Sequence, residues 1–275
     1  MKSQIRKLLQ GKDRAILKLL ATPVKLIWIR KGVKVLDEEW DYLIVLDACR
    51  YDYFEKYNFI DGGLQKVNSV ATYTLDWVIR NFRGRNCKDI VYVSTNPYVS
   101  NTELIKYIGY NLFYHIEPVW EYGWDNKLGT VPPEAVTEAA IKCKNKFPDK
   151  RMIVHYMQPH SPYLDAPDFP KFWEMGTLGV RRNKKVITGL YISNLKKVLK
   201  EVEGLIKHLE GKIIITSDHG EMFGEYFISG HDSDLFFKEL REVPWLIINK
   251  PKSTKRDEKE RIREIVERLK RNDKI

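Results

Sequence analysis

From residue 40 onward, short apolar, β-branched runs alternate with stretches of helical periodicity. The runs fall at 42–46 (YLIVL), 90–94 (IVYVS), 112–116 (LFYHI), 152–156 (MIVHY), 213–216 (IIIT) and 243–248 (VPWLII). Nearly continuous apolar runs of this length suit strands covered on both faces. Between them the pattern predicts helices near 51–57, 73–82, 101–108, 133–146, 184–209 and 255–271. Strands alternating with helices predict an α/β fold, a mostly parallel central sheet with helices on both faces. The stretch 158–182, rich in Pro, Gly and aromatics, reads as a long loop near a site. No repeat of 20–50 residues is visible, and no interior linker divides the chain.

Before residue 35 the pattern differs. Ile5, Leu8, Leu9, Ile16, Leu19, Leu20, Val24, Ile27 and Trp28 recur at helical spacing among Lys and Arg, and Pro23 interrupts them. The expected organisation is a basic amphipathic segment at 1–34, a catalytic domain at 35–250 and a charged helix at 251–275 packed on that domain. The amphipathic stripe fits a helix lying on the outside of the domain. It also fits peripheral contact of residues 1–30 with an anionic membrane.

Composition sharpens this picture in two places. The chain has 275 residues, 43% of them apolar and 12% aromatic, which suits a packed core rather than disorder. The net charge of +10 sits in the two ends, while the body is mildly acidic. That distribution argues against nucleic acid as a partner, since a nucleic-acid enzyme carries its basic surface along the working body. Three widely spaced cysteines, Cys49, Cys87 and Cys143, make neither a disulfide framework nor a Cys-rich zinc site. With no secretory leader and no apolar run of 18 residues, the expected location is cytoplasmic, with peripheral contact at the inner membrane face.

In an open α/β sheet, ligands bind beyond the carboxyl ends of the strands. Asp47 follows the first run, in LDACRYD. His160 follows MIVHY, in QPHSPY. Ser217, Asp218, His219, Gly220 and Glu221 follow IIIT. Asp47, His160 and the Asp218–His219 pair therefore meet at one sheet edge, and these are common ligand types for zinc or a hard cation. Each also has a plain reading: Asp47 as a helix N-cap, His160 as an ordinary loop histidine. Gly220 permits a close backbone approach. In NSVATYTLDW, a helix beginning near Tyr73 puts Thr72 at its N-cap, facing free N–H groups and the positive end of the helix dipole. The same hydroxyl can simply cap the helix.

These residues, in this order, resemble the alkaline phosphatase superfamily, in particular its sulfatase-like branch. The resemblance spans roughly residues 40–250. It is carried by VLDACRYDYF, HYMQPHSPY and the segment IIITSDHGEMFGEYFISGHDSDLFFKELREVPWLII. It implies that Asp47, Thr72, Asp218 and His219 bind a divalent metal, and that Thr72 is the nucleophile, preferred over Ser69 and Thr74. It implies that His160 and His231 hold the transferred group or protonate the leaving oxygen, and that Arg50 binds substrate. Zn²⁺ or Mn²⁺ suits the ligand set better than Mg²⁺ or Ca²⁺, and one ion is favoured over two.

The chain lacks the CxPxR sequence of formylglycine sulfatases. The resemblance therefore implies a metal-dependent hydrolase or transferase of phosphate esters, small or glycan- or lipid-linked, working through a phosphoryl-enzyme. The alternatives are a sulfuric ester hydrolase without formylglycine and a catalytically divergent relative. Oligomeric state is not legible.

Overall fold

The computed structural model describes residues 32–232 and 235–252. The expected amphipathic segment, the membrane contact of residues 1–30 and the C-terminal charged helix lie outside the described residues or nearly so. No described helix is long and apolar enough to cross a membrane.

Nine strands are described: β1 (Tyr42–Leu46), β2 (Gly63–Asn68), β3 (Cys87–Ser94), β4 (Phe113–Pro118), β5 (Arg151–Tyr156), β6 (Gly211–Thr216), β7 (Met222–Phe223), β8 (Ser229–Gly230) and β9 (Glu242–Lys250). The helices are α1 (Tyr51–Tyr57), α2 (Thr74–Phe82), α3 (Asn101–Ile108), α4 (Val119–Tyr122), α5 (Pro133–Lys146), α6 (Phe172–Arg182), α7 (Lys184–Ile206) and α8 (Lys238–Arg241). Seven strands form one sheet in the order β2-β9-β6-β1-β5-β3-β4. The β6-β1-β5-β3-β4 block is parallel, and β9 and β2 complete it antiparallel. The mixed α/β architecture expected from the alternation is present.

The pleat sorts the core. On β1, Tyr42, Ile44 and Leu46 join one apolar cluster, with Val136 and Ala140 of α5 and Leu195, Val198, Leu199 and Val202 of α7. Leu43 and Val45 join the other, with Trp77, Val78 and Phe82 of α2 and Leu104 of α3. Side chains of a strand alternate between faces, so one continuous apolar run feeds both layers. Each fully buried Leu or Val contributes about 1.5–3 kcal/mol of transfer free energy as an upper bound.

Two elements depart from the sequence expectation. The stretch 158–182 is not loop throughout, because α6 occupies its last eleven residues. Gly176, at φ 63°, breaks the helical backbone inside α6 and hides the periodicity. Strand β2 was not foreseen because GLQKVN has no apolar run. It lies on the sheet's outer edge with none of its residues buried.

Candidate metal centre and active site

Register brings the site together. Leu46 of β1 pairs with Tyr156 of β5, and Val45 pairs with Thr216 of β6. The three strands thus end level, and the residues after each emerge at one edge. Asp47 follows β1, His160 lies in the loop after β5, and Ser217, Asp218 and His219 follow β6. The turn after β1 is tightly held. Ala48, at φ 58°, sits in the left-handed region, which costs a residue with a Cβ about 1–2 kcal/mol. Its N–H donates to Asp218 Oδ1 (3.1 Å), the Cys49 N–H donates to Ser217 Oγ (2.8 Å), and the Tyr191 hydroxyl donates to the Ala48 carbonyl (2.7 Å).

Asp47, Asp218 and His219 are all buried, and one ligand atom from each lies within 4.8 Å of the others. His219 Nε2 is 3.6 Å from Asp47 Oδ1 and 3.4 Å from Asp218 Oδ2. The His219 Nδ1–H donates to the Gly220 carbonyl (2.9 Å), so the Nε2 lone pair faces the carboxylates. That is the tautomer a metal ligand needs. Asp47 Oδ1 is buried without a hydrogen-bond partner. Burial, then Asp218 and Glu221, push the Asp47 carboxyl well above its ordinary value. Burial would raise Asp218 too, but His219, His155 and the hydrogen bonds from Thr74 and Ala48 hold it below its ordinary value. An orphaned carboxylate oxygen beside a second carboxylate and an imidazole lone pair fits a divalent cation.

The hydroxyl that reaches this cluster is Thr74, not Thr72. Thr74 Oγ1 donates to Asp218 Oδ2 (2.8 Å) and lies 3.4 Å from His219 Nε2. Thr72 Oγ1 donates instead to the Asp232 carbonyl (2.7 Å) and so ties its loop to the one bearing His231. The sequence expectation started the helix too early. Tyr73 is extended at φ −159° and is the N-cap, so Thr74 is the first residue of α2.

The Arg50 guanidinium grips both Asp52 oxygens (3.0 and 2.6 Å), Glu225 Oε1 (3.1 Å) and the Glu221 carbonyl (3.2 Å). Those bonds tie the side chain to the Glu221 loop.

Beside the first triad stands a second: His160, Glu221 and His231, with ligand atoms within 4.8 Å of one another. The β7–β8 hairpin builds it, since Met222 pairs with Gly230 and leaves Glu221 and His231 adjacent at its open end. Each Glu221 oxygen is 3.3 Å from His231 Nδ1, and His160 Nε2 is 3.8 Å from Glu221 Oε2. The His219 and His231 rings are 4.3 Å apart, which joins the two triads. Burial lowers His160 and His231 to about 4, so both imidazoles are neutral at pH 7. Burial raises the Glu221 carboxyl against the pull of His160 and His219. This donor set has room for a second cation, whereas the sequence reading favoured one.

Sequence reasoning gave no role to Glu221, Asn96 or His155. Asn96 follows β3 and brings Nδ2 within 3.5 Å of Asp47 Oδ2, and the strand-end rule that found Asp47 also finds it. His155 is hidden inside a strand. Its ring bonds the Tyr92 hydroxyl at Nδ1 (2.8 Å) and points an unpartnered Nε2 at Asp218 Oδ2, 3.7 Å away.

Two measurable consequences follow from this packing. A Cβ on Gly220 meets the Glu239 carbonyl oxygen at 2.0 Å, backbone against backbone. Gly220→Ala is therefore expected to cost about 3 kcal/mol or more in urea unfolding, and an unchanged midpoint would contradict it. The second concerns acid. Burial lowers His155 from 6.5 to about 4, so the unfolded chain binds its proton first. The stability it contributes is whole above pH 6.5, falls as pH drops, and is gone below about 4. That is about 3 kcal/mol. Asp47 and Glu221, whose values are raised, act with the opposite sign. The group is isolated by comparing metal-stripped wild type with His155→Gln, whose stability should fall less steeply between pH 6.5 and 4. Parallel slopes would contradict the assignment.

The chain matches no protein-family model and no curated protein by sequence. Solved structures do resemble it. The soluble domain of lipooligosaccharide phosphoethanolamine transferase A from Neisseria meningitidis superposes with a TM-score of 0.50 at 15% identity, covering 75% of each chain. The C-terminal periplasmic domain of EcEptC from Escherichia coli, in complex with Zn, gives 0.51 at 14% identity, covering 76% of this chain and 72% of that one. The chain shares the fold of these transferase domains. The integral membrane form of the Neisseria meningitidis transferase gives 0.52 at 14% identity, covering 76% of this chain and 47% of that one.

The cytoplasmic location expected from the sequence is corrected by these comparisons. The E. coli domain is periplasmic by its description, and the N. meningitidis soluble domain is part of an integral membrane protein. The expectation rested on a missing leader and a missing disulfide framework. Three buried, unpaired thiols report packing, not compartment.

Proposed function

We propose that this protein is a metal-dependent enzyme that transfers or hydrolyses phosphate esters through Thr74, on the extracytoplasmic side of a membrane, with lipid- or glycan-linked esters as substrates. One observation carries the reading: a buried threonine hydroxyl, first in its helix, bonded to Asp218 within an Asp–Asp–His cluster. The descriptions of the similar structures as phosphoethanolamine transferases support the substrate class.

Asp47, Thr74, Asp218 and His219 would hold a divalent ion, Zn²⁺ or Mn²⁺ by donor type. Such an ion supplies Lewis acidity toward a phosphoryl oxygen and lowers the pKa of a coordinated hydroxyl. Thr74 attacks phosphorus in line, the bond to the leaving alcohol breaks, and a phospho-threonine remains. The N–H groups of the first turn of α2 favour the anionic ester next to Thr74. His160 and His231 handle the protons. Neutral at pH 7, they gain basicity when an anionic ester stands beside them. They can pass the proton that Thr74 loses to the leaving alkoxide, and then take one from the acceptor alcohol or water, which returns to Thr74 as the phospho-threonine breaks down. Asn96 and His155 orient Asp47 and Asp218.

The test is a panel of phosphate monoesters, diesters, ethanolamine-headgroup phospholipid and sulfate esters, with Zn²⁺ or Mn²⁺ supplied. Turnover of phosphate esters and a covalent adduct mapped to Thr74 by mass spectrometry are expected. Faster turnover of sulfate esters, or an adduct elsewhere, would reject the reading.

A further inference from the structure

A third donor cluster lies away from the active site, on the far edge of the sheet. β4 is the outermost strand beyond β3, three strands from β1. His115 and Glu117 are two residues apart on it, so both side chains stand on the same face. There they meet Cys143 from α5, and one ligand atom from each of the three lies within 4.8 Å of the others. His115 Nε2 is 3.0 Å from Glu117 Oε2, and Cys143 Sγ is 3.8 Å from the same oxygen.

We propose that His115, Glu117 and Cys143 form a zinc site, separate from the catalytic centre, that clamps the edge strand β4 to α5. Three features beyond proximity support it. The first is spacing: around a tetrahedral zinc, N, O and S ligands stand about 3.3–3.6 Å apart, and the two observed separations bracket that range within a few tenths of an ångström. The second is support from neighbouring groups. The Tyr122 hydroxyl, at the end of α4, donates to Glu117 Oε1 (2.7 Å) and leaves Oε2 to face the other two ligands. The His115 ring rests on Phe147, centroids 5.1 Å apart, which fixes its tilt. Such outer partners orient metal ligands.

The third feature is chemical type. A thiolate, an imidazole and one carboxylate are a zinc set, whereas magnesium and calcium take oxygen. Binding deprotonates the thiol and shifts the imidazole proton to Nδ1, releasing the thiol proton to water. Cys143 is buried while His115 and Glu117 are half-buried, so the fourth position opens toward solvent and a water completes the tetrahedron. The inference does not depend on the proposed catalytic activity, because no residue is shared between the sites.

Cadmium reports on the site directly, since thiolate-to-cadmium charge transfer absorbs in the ultraviolet and carboxylate or imidazole ligation does not. Neither catalytic triad contains a cysteine. Titrating metal-stripped full-length protein with Cd²⁺ is expected to raise this band to saturation within three equivalents, at the intensity of one thiolate per chain, since the two catalytic triads take up cadmium without adding to the band. The band should persist in Asp218→Asn and vanish in Cys143→Ser. Tyr122→Phe should weaken binding 10–100-fold, as loss of an outer partner does. His115→Gln provides the same test at a half-buried position if Cys143→Ser fails to fold, and there the band should require at least tenfold more Cd²⁺. No band in the wild type, a band that survives Cys143→Ser, or unchanged affinity in both Tyr122→Phe and His115→Gln would overturn the site.

Discussion

Replacing Thr74 by alanine is expected to lower turnover by three or more decades, while Thr72→Ala lowers it by less than about tenfold. The first figure is the scale of losing an activated nucleophile. The second follows from what Thr72 does: its hydroxyl holds a loop carbonyl at Asp232 rather than facing the Asp218–His219 pair. Removing it loosens the segment carrying His231 without touching the reacting atom. Thr74→Ser keeps the hydroxyl and should retain part of the activity. The measurement is kcat at saturating metal with the best ester from the panel. A severe loss from Thr72→Ala with a mild one from Thr74→Ala would return the nucleophile to the earlier position.

Asp218→Asn should empty the first triad of metal and abolish turnover while leaving the fold in place. Asparagine keeps one acceptor oxygen for the N–H groups of Ala48 and His219, which Asp218 Oδ1 now serves at 3.1 and 2.9 Å. It loses the charge at the position that Thr74 and His219 face. Metal analysis after gel filtration, alongside circular dichroism, separates the two effects. Wild type treated with chelator should behave in the same way and recover on addition of Zn²⁺ or Mn²⁺. Full activity in thoroughly stripped wild-type protein would refute a metal-dependent reaction.

How much of this was legible in the sequence depends on which physical signal each residue carried. β1 is read to the residue because YLIVL is buried on both faces, and Asp47 stands out because a charge directly follows five buried positions. Asp218 and His219 stand out for the same reason after β6. Thr74 did not, because the apolar stripe of α2 locates the helix only to within a residue or two. The deciding fact, the extended backbone of Tyr73, is set by tertiary contacts. The surroundings of Arg50 were not legible because a sequence shows a cation but not its anions, here Asp52 and Glu225. Glu221 was in plain view inside SDHGE, but its partners His160 and His231 are distant in sequence. Only the β7–β8 hairpin shows that they are neighbours.

The turn at Ala48 has a consequence for ion selection. Asp218 spends one oxygen on that turn and on its own neighbour's amide, which leaves the other to face a cation. The carboxylate would thereby offer a cation one oxygen. With one oxygen from Asp218, an imidazole, Asp47 and a threonine hydroxyl, the pocket supplies about four donor atoms, enough for zinc. Calcium, which takes about 6–8 oxygens, finds less than its shell and would have to import the remainder as water. Discrimination between the two ions would then reside in a backbone amide that touches neither of them.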